Sequence, residues 1–158
     1  MKIVDWVHIQ PVLQTDRRIP SSSGIARWGC AWRAATAACE YHCNLQMDPD
    51  DIMMLHGEHR KLRMLGLQMH VPNFEKVMTH TLGFLNSGKA AYHVGNEEKF
   101  LLYAKPWRVD FCLLQVDTGK EDGHWRLGDA DGIQLWDPDP AVAGELSGHI
   151  LKFRFGGK

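Results

Sequence analysis

One uninterrupted helical pattern in the first third of the chain limits what it can fold into. Residues 30–43, CAWRAATAACEYHC, contain strong helix formers and neither Gly nor Pro. Small apolar residues recur in this run at spacings of three and four: Ala31, Ala34, Ala35, Ala38 and Cys39. This spacing predicts a helix with a buried apolar face, around which the remaining elements have to pack.

The segments on either side of this run have different characters. Residues 2–14 favour an extended conformation, and residues 15–29, which hold one Pro, three Ser and two Gly, favour a loop. After the run, Asp48 is suited to cap a helix and Pro49 to occupy its first position. We therefore expect a second helix to begin at this point.

Further elements are predicted in the middle of the chain. Residues 71–83 repeat the helical pattern, with a cap at or near Asn73 and a stop at Gly83. A short strand is expected over 90–94, followed by a helix over 96–107 that Pro106 ends.

The last third of the chain is typical of β-structure. Four strands are predicted. The first covers 108–117, the second begins at residue 124 in HWRLGDAD, the third lies within GIQLWDPDP, which ends at residue 140, and the last covers 149–155. The terminal FRFGGK is expected to end as a flexible tail. Helices that precede an antiparallel sheet indicate an α+β fold. The length suits one domain over residues 1–158.

Charge and hydropathy exclude several classes of function. The formal net charge is −1 and the pI is near 6.7, which gives no basis for electrostatic capture of nucleic acid or of an anionic membrane. No run of 18 apolar residues predicts a membrane span, and the first residues lack the pattern of a secretory signal. We therefore expect a cytoplasmic protein whose four cysteines are reduced.

Three chemically useful residues fall at the ends of predicted elements. Cys30 begins the helical run, where backbone N–H groups and the helix dipole are expected to lower its pKa. His124 begins a predicted strand in GHW, and Asp137 follows the next strand in LWDPDP. A hairpin with its turn near residues 130–132 makes His124 and Asp137 neighbours. The set fits a nucleophile, a base and a group that orients the base.

A metal site is a weaker interpretation of the cysteines. Cys39 and Cys43 lie four residues apart with His42 adjacent, but the second half offers no matching Cys or His pair. We expect no metal and no cofactor, and we expect Cys39, Cys43 and Cys112 to lie in the core.

Four short motifs, taken in order, carry a resemblance to a known family. They are QTD at 14–16, WGCAW at 28–32, DGHW at 122–125 and WDPDP at 136–140. Together they resemble the papain-like cysteine peptidases, and among these the bacteriocin-processing (double-glycine) peptidases of bacteria and their phage relatives.

The resemblance implies a fold and a set of roles. It implies a papain-like domain in which the nucleophile begins a helix that packs on the antiparallel sheet. Cys30 would be the nucleophile and His124 the general base. Asp137 would orient His124, and Gln14 would help the Cys30 backbone N–H to stabilise an oxyanion.

Some alternatives stay open at this level. Gln10 competes with Gln14 for the oxyanion role, and Asp139 competes with Asp137 for the orienting role. The implied activity is hydrolysis of an amide bond in a peptide or protein through a thioester. An acyltransferase that uses the same residues and a catalytically silent binding module are the alternatives.

Overall fold

Helices in the first half of the chain precede an antiparallel sheet in the second, which confirms the predicted α+β class. The computed structural model describes residues 2–66, 72–85, 92–100, 109–119 and 123–157. The helices are α1 (Ile25–Trp28), α2 (Cys30–Cys43), α3 (Pro49–Lys61) and α4 (Phe74–Leu85). None of the helices in these ranges combines the length and the hydropathy that a bilayer crossing requires.

In the described ranges, seven strands form two antiparallel sheets. The strands are β1 (Lys2–Ile3), β2 (Leu45–Gln46), β3 (Tyr92–Phe100), β4 (Phe111–Asp117), β5 (His124–Gly128), β6 (Gln134–Trp136) and β7 (Glu145–Gly157). β1 and β2 pair with each other, and the larger sheet has the order β3-β7-β4-β5-β6.

Helix α2 lies at the centre of the packing. It has the predicted bounds, and it ends where Asn44 adopts the left-handed conformation with φ 53°. Its alanines are fully buried, and it packs against α4 on one side and β5 on the other. Small side chains allow this close approach, so the alanine pattern explains why the helices and the sheet share one core.

The other predicted helix signals are confirmed in part. Asp48 and Asp51 form a reciprocal capping box at the start of α3, with Pro49 in the first turn. Asn73 accepts a hydrogen bond from the backbone N–H of Lys76 at the start of α4. The helix continues through Gly83 to Leu85, because its apolar face keeps packing on the core after the glycine.

The helix predicted over 96–107 is wrong where the structure describes it. Residues 92–100 form strand β3, which pairs antiparallel with β7, and residues 101–108 lie outside the described residues. The predicted tail is also wrong, because Gly156 and Gly157 pair with His93 and Tyr92. Pairing between distant segments overrides the local helix propensity here.

The predicted hairpin between β5 and β6 is confirmed. Leu127 pairs with Trp136, and the turn is closed by Asp129, whose carboxylate accepts backbone N–H groups of Asp131 and Ile133. Gly132 has φ 79°, a left-handed conformation that favours glycine.

A fully buried ion pair lies inside α2. Arg33 Nη2 contacts Glu40 Oε2 at 2.8 Å, and both side chains are completely buried. Arg33 also donates to the Val12 carbonyl and the Thr36 hydroxyl, and Glu40 accepts the Met47 backbone N–H. Burial raises the pKa of Glu40, and Arg33 opposes that effect. The pair therefore ties the segments before and after α2 to the helix.

We predict that Arg33→Met lowers the free energy of unfolding by about 3–5 kcal/mol, because it leaves the Glu40 charge buried without its partner. The double variant Arg33→Met/Glu40→Leu should recover most of that loss. Urea unfolding followed by circular dichroism measures both, with the exposed Arg17→Met as the control. A change below about 1 kcal/mol in Arg33→Met would contradict the prediction.

A directional hydrogen-bond chain joins three helices. Indole Nε1–H of Trp32 donates to His59 Nδ1 at 2.9 Å, which leaves the proton of His59 on Nε2. His59 Nε2 lies 3.0 Å from His80 Nδ1, and His80 Nε2 lies 3.3 Å from Glu58 Oε2. His56 packs edge-on against Trp32. The single donor of Trp32 thus fixes one tautomer along the chain.

Two buried histidines in this group make the free energy of unfolding depend on pH. Burial lowers the pKa of His56 to about 4, with Arg60 adding to the effect. Burial, His80 and His56 lower the pKa of His59 to about 3. The unfolded chain therefore binds more protons, so this stabilisation is complete above the ordinary histidine pKa of 6.5 and is lost as the pH falls towards 4 and 3.

We predict that the free energy of unfolding falls by about 1–2 kcal/mol for each of His56 and His59 between roughly pH 7 and 5. Urea titrations at both pH values measure this. His59→Gln, which keeps one acceptor and one donor, should reduce the pH dependence, whereas the exposed His8→Gln should leave it unchanged. Equal pH dependence in the wild type and His59→Gln would contradict the prediction.

Candidate active site

A cavity of about 380 Å³ brings together the ends of several elements. Cys30 reaches it from the start of α2, and His124 from the start of β5. Gln14 lines it from the N-terminal segment, and Asp139 from the chain after β6. Four residues of the sequence-predicted set, distant along the chain, therefore share one cavity.

The junction between α1 and α2 fixes the position of Cys30. Gly29 separates the two helices, and a Cβ there would lie 2.6 Å from the Ile25 carbonyl oxygen. Only glycine allows the two helices to meet this closely. Cys30 is consequently the first residue of α2, with its thiol partly exposed beside the cavity.

The predicted lowering of the Cys30 pKa is wrong. Burial raises the pKa of the thiol, and the charge of Asp137 adds to the increase. Backbone N–H groups of Trp125, Ala31 and Cys30 itself act in the opposite direction. The helix N-terminus therefore stabilises a thiolate as expected, but the loss of water around the sulfur outweighs it.

His124 and Asp137 form a short, buried hydrogen bond. His124 Nε2 lies 2.7 Å from Asp137 Oδ1, with side-chain exposures of 3% and 9%. This confirms that the hairpin makes the two residues neighbours. An ionised carboxylate only accepts, so Nε2 carries the proton and Nδ1 carries the lone pair. His124 is thereby held in the tautomer that can accept a proton through Nδ1.

Asp139 makes different contacts from Asp137. Its backbone N–H donates to Asp137 Oδ1 at 3.0 Å, and its own carboxylate accepts the Ala141 N–H. Asp137 is therefore the residue that contacts His124, and Asp139 helps to hold the Asp137 carboxylate.

Sequence reasoning missed Arg126. Its Nε donates to Asp137 Oδ2 at 2.9 Å. The signal was present in the strand, because His124 and Arg126 are two residues apart and alternate positions of a strand share a face. The strand register adds a second signal. Because Leu127 pairs with Trp136 in the antiparallel hairpin, Arg126 lies opposite Asp137.

The two candidate oxyanion glutamines are placed differently. Gln14 is buried at the cavity, but its Nε2 donates to the carbonyls of Ala26 at 3.1 Å and Ile25 at 3.4 Å. Within the described ranges its Oε1 is buried with no hydrogen-bond partner. Gln10 is exposed, and its backbone N–H donates to Gln46. The Gln14 segment also meets the site through its backbone, because Gln14 N donates to the Pro138 carbonyl at 3.0 Å.

The other cysteines lie away from this cavity. Cys39 and Cys112 are buried, Cys43 is half-buried, and none of the four cysteines, all of which the structure describes, is in a disulfide. Burial raises the pKa of Cys39 well above its ordinary value and that of Cys112 to about 11. Within the part of the chain that the structure describes, no three His, Cys, Asp or Glu side chains are grouped so that they could hold a metal ion.

Comparison of the chain with protein-family models, with curated proteins and with solved structures found no match. What this site can do therefore has to be argued from its own residues and their geometry.

We predict that iodoacetamide labels Cys30 faster than Cys39 or Cys112, because only Cys30 of these three reaches the cavity. The labelling rate should rise with a midpoint at higher pH than that of N-acetylcysteine, because burial raises the Cys30 pKa. Peptide mass spectrometry after timed labelling measures each site. A Cys30 midpoint below that of N-acetylcysteine would contradict the prediction.

Proposed function

We propose that this protein is a cysteine hydrolase that cleaves an amide bond in a peptide or protein substrate, with Cys30, His124 and Asp137 as its triad. One observation carries the proposal. Cys30 and His124 line the same cavity, and His124 is fixed by Asp137 at 2.7 Å in the tautomer that a general base requires.

The proton balance of the reaction follows from that tautomer. His124 Nδ1 takes the thiol proton as Cys30 Sγ bonds to the substrate carbonyl carbon. The resulting imidazolium returns the proton to the leaving nitrogen as the C–N bond breaks, which leaves a thioester on Cys30. Water, deprotonated by His124, then attacks the thioester and releases the acid, and the sulfur regains its proton. Asp137 stabilises the imidazolium in each step.

The raised pKa of the thiol bears on how this nucleophile is activated. Burial raises the pKa of the Cys30 thiol, so it favours the thiol over the thiolate before substrate binds. Proton transfer then has to accompany attack. The N–H groups of Trp125, Ala31 and Cys30 that face the sulfur lower the cost of that transfer.

The oxyanion is assigned first to the backbone N–H of Cys30 at the start of α2. Gln14 can contribute only after its amide turns away from the carbonyls of Ile25 and Ala26, which accept its N–H groups in this structure. Among the described residues no hydrogen-bond partner is found for its Oε1, so nothing there holds the amide from its other side. Substrate binding is the event that we propose reorients it.

A papain-like arrangement is part of the proposal. It is supported by a nucleophile at the start of α2 and by a base and a carboxylate on the β5–β6 hairpin against which α2 packs. The chain's own Gly156-Gly157 is not the substrate in cis. β7 begins at Glu145, just after the cavity wall, and its 13 residues place the two glycines on the order of 40 Å along the strand.

A catalytically silent binding module is the second candidate. Two features favour it: burial raises the pKa of the Cys30 thiol, and the Gln14 N–H groups donate to backbone carbonyls. In that function the cavity would hold a peptide without cleaving it.

The test is cleavage of a tryptic casein digest in H₂¹⁸O, with products identified by mass spectrometry. We predict new carboxyl termini that carry ¹⁸O, which an acyl transfer to an amine would not give. Cys30→Ala should abolish them, and His124→Gln should slow their formation by about 10²–10⁴-fold. The half-buried Cys43→Ala, remote from the cavity, is the matched control and should retain activity.

Asp137→Asn tests the orienting role. An amide presents one oxygen and one nitrogen, so it cannot accept from both His124 and Arg126 as the carboxylate does. We predict a loss of at least about 10-fold in kcat with little change in KM.

Two outcomes would overturn the proposed hydrolase. One is cleavage that is unchanged in Cys30→Ala. The other is peptide binding without cleavage by the wild type, which indicates the binding module.

A further inference from the structure

We infer that Arg126 is a positioning residue that acts through Asp137 and also holds the cavity wall at Val142. Its meaning for catalysis rests on the proposed function. The contacts that carry the inference belong to one guanidinium group, which is largely buried at 16% side-chain exposure.

Arg126 supplies the hydrogen-bond donor for one of the two carboxylate oxygens of Asp137, Oδ2. Asp137 Oδ1 already accepts from His124 and from the Asp139 backbone N–H. Oδ2 is bonded to Arg126 Nε at 2.9 Å, and no other partner for it is found in the described residues. The Asp137 side chain is only 9% exposed, so water cannot easily replace that bond. Without Arg126 the carboxylate would rotate Oδ2 towards solvent and draw Oδ1 away from His124.

The same guanidinium reaches the cavity wall. Arg126 Nη2 donates to the Val142 carbonyl at 3.4 Å, and Nη1 donates to Gln134 Oε1 at 3.3 Å. Val142 lines the cavity beside Ala141 and Ala143. The planar group therefore sets the distance between the orienting carboxylate and the wall that a substrate would contact.

The charge of Arg126 also has a measurable consequence at the sulfur. Asp137 contributes to the raised pKa of the Cys30 thiol, and Arg126 places a positive charge against the far side of Asp137. Among the described residues, the other charged side chains that line the cavity are Arg27 from α1 and Asp139. Removing the charge of Arg126 leaves that of Asp137 uncompensated, which favours the protonated thiol further.

Two variants separate charge from geometry. Arg126→Gln removes the charge, and Arg126→Lys keeps it but loses the planar fork. Arg17→Gln, exposed and outside the cavity, is the control. The measurements are the pH profile of Cys30 labelling by iodoacetamide and the rate of casein-peptide cleavage, with urea unfolding to establish that each variant is folded.

We predict that Arg126→Gln moves the labelling midpoint up by about half a pH unit or more, whereas Arg126→Lys and Arg17→Gln leave it in place. Both Arg126 variants should lower kcat by about 10-fold or more. An unshifted midpoint in folded Arg126→Gln overturns the inference. Should Arg126→Gln not fold, wild-type kcat in Arg126→Lys overturns it.

The same experiment tests the proposed function separately from the role of Arg126. Labelling needs no turnover, so a shifted midpoint in a chain that cleaves nothing supports the action of Arg126 on the site and rejects the hydrolase.

Discussion

The ion pair between Arg33 and Glu40 is the interaction on which the rest of the structure depends. It fills the middle of α2 with two opposite charges, and each also has a hydrogen-bond partner outside the helix, the Val12 carbonyl for Arg33 and the Met47 backbone N–H for Glu40. Arg33 holds Val12, two residues before Gln14, and lies over the ring of Trp136, the residue before Asp137. Arg33 thus fixes the two chain segments that complete the cavity relative to α2, the helix that begins with Cys30.

At the cavity, two physical effects compete at one sulfur. The helix N-terminus and the N–H of Trp125 favour the thiolate, but burial favours the thiol and dominates. His124 lines the same cavity, and Asp137 holds its Nε2 through a 2.7 Å hydrogen bond. The cavity therefore combines a thiol whose pKa is raised by burial with an imidazole whose orientation is fixed by a carboxylate.

Sequence reasoning reached helices α2, α3 and α4, the hairpin and the neighbours His124 and Asp137, because caps, turn residues and small-residue spacing act locally. It was wrong over 15–29, predicted as a loop, where Ile25–Trp28 forms the short helix α1. It failed at β3, where pairing with β7, whose partner residues lie 49 to 65 positions further along the chain, decides the conformation. It also misjudged the Cys30 pKa, since the extent of burial at a helix start is set by distant elements. Arg126 was recoverable in principle from strand alternation, but only once the hairpin register was known.

The hydrogen bond between the Gln14 N–H and the Pro138 carbonyl joins the two flanks of the cavity through main-chain atoms alone. Such a bond does not depend on which side chains occupy those positions, except that proline cannot replace the donor. Residues at the cavity can therefore be exchanged while the frame that carries them persists. The shape and polarity of the cavity lining can thus vary by point substitution without any change in how the two flanks are joined.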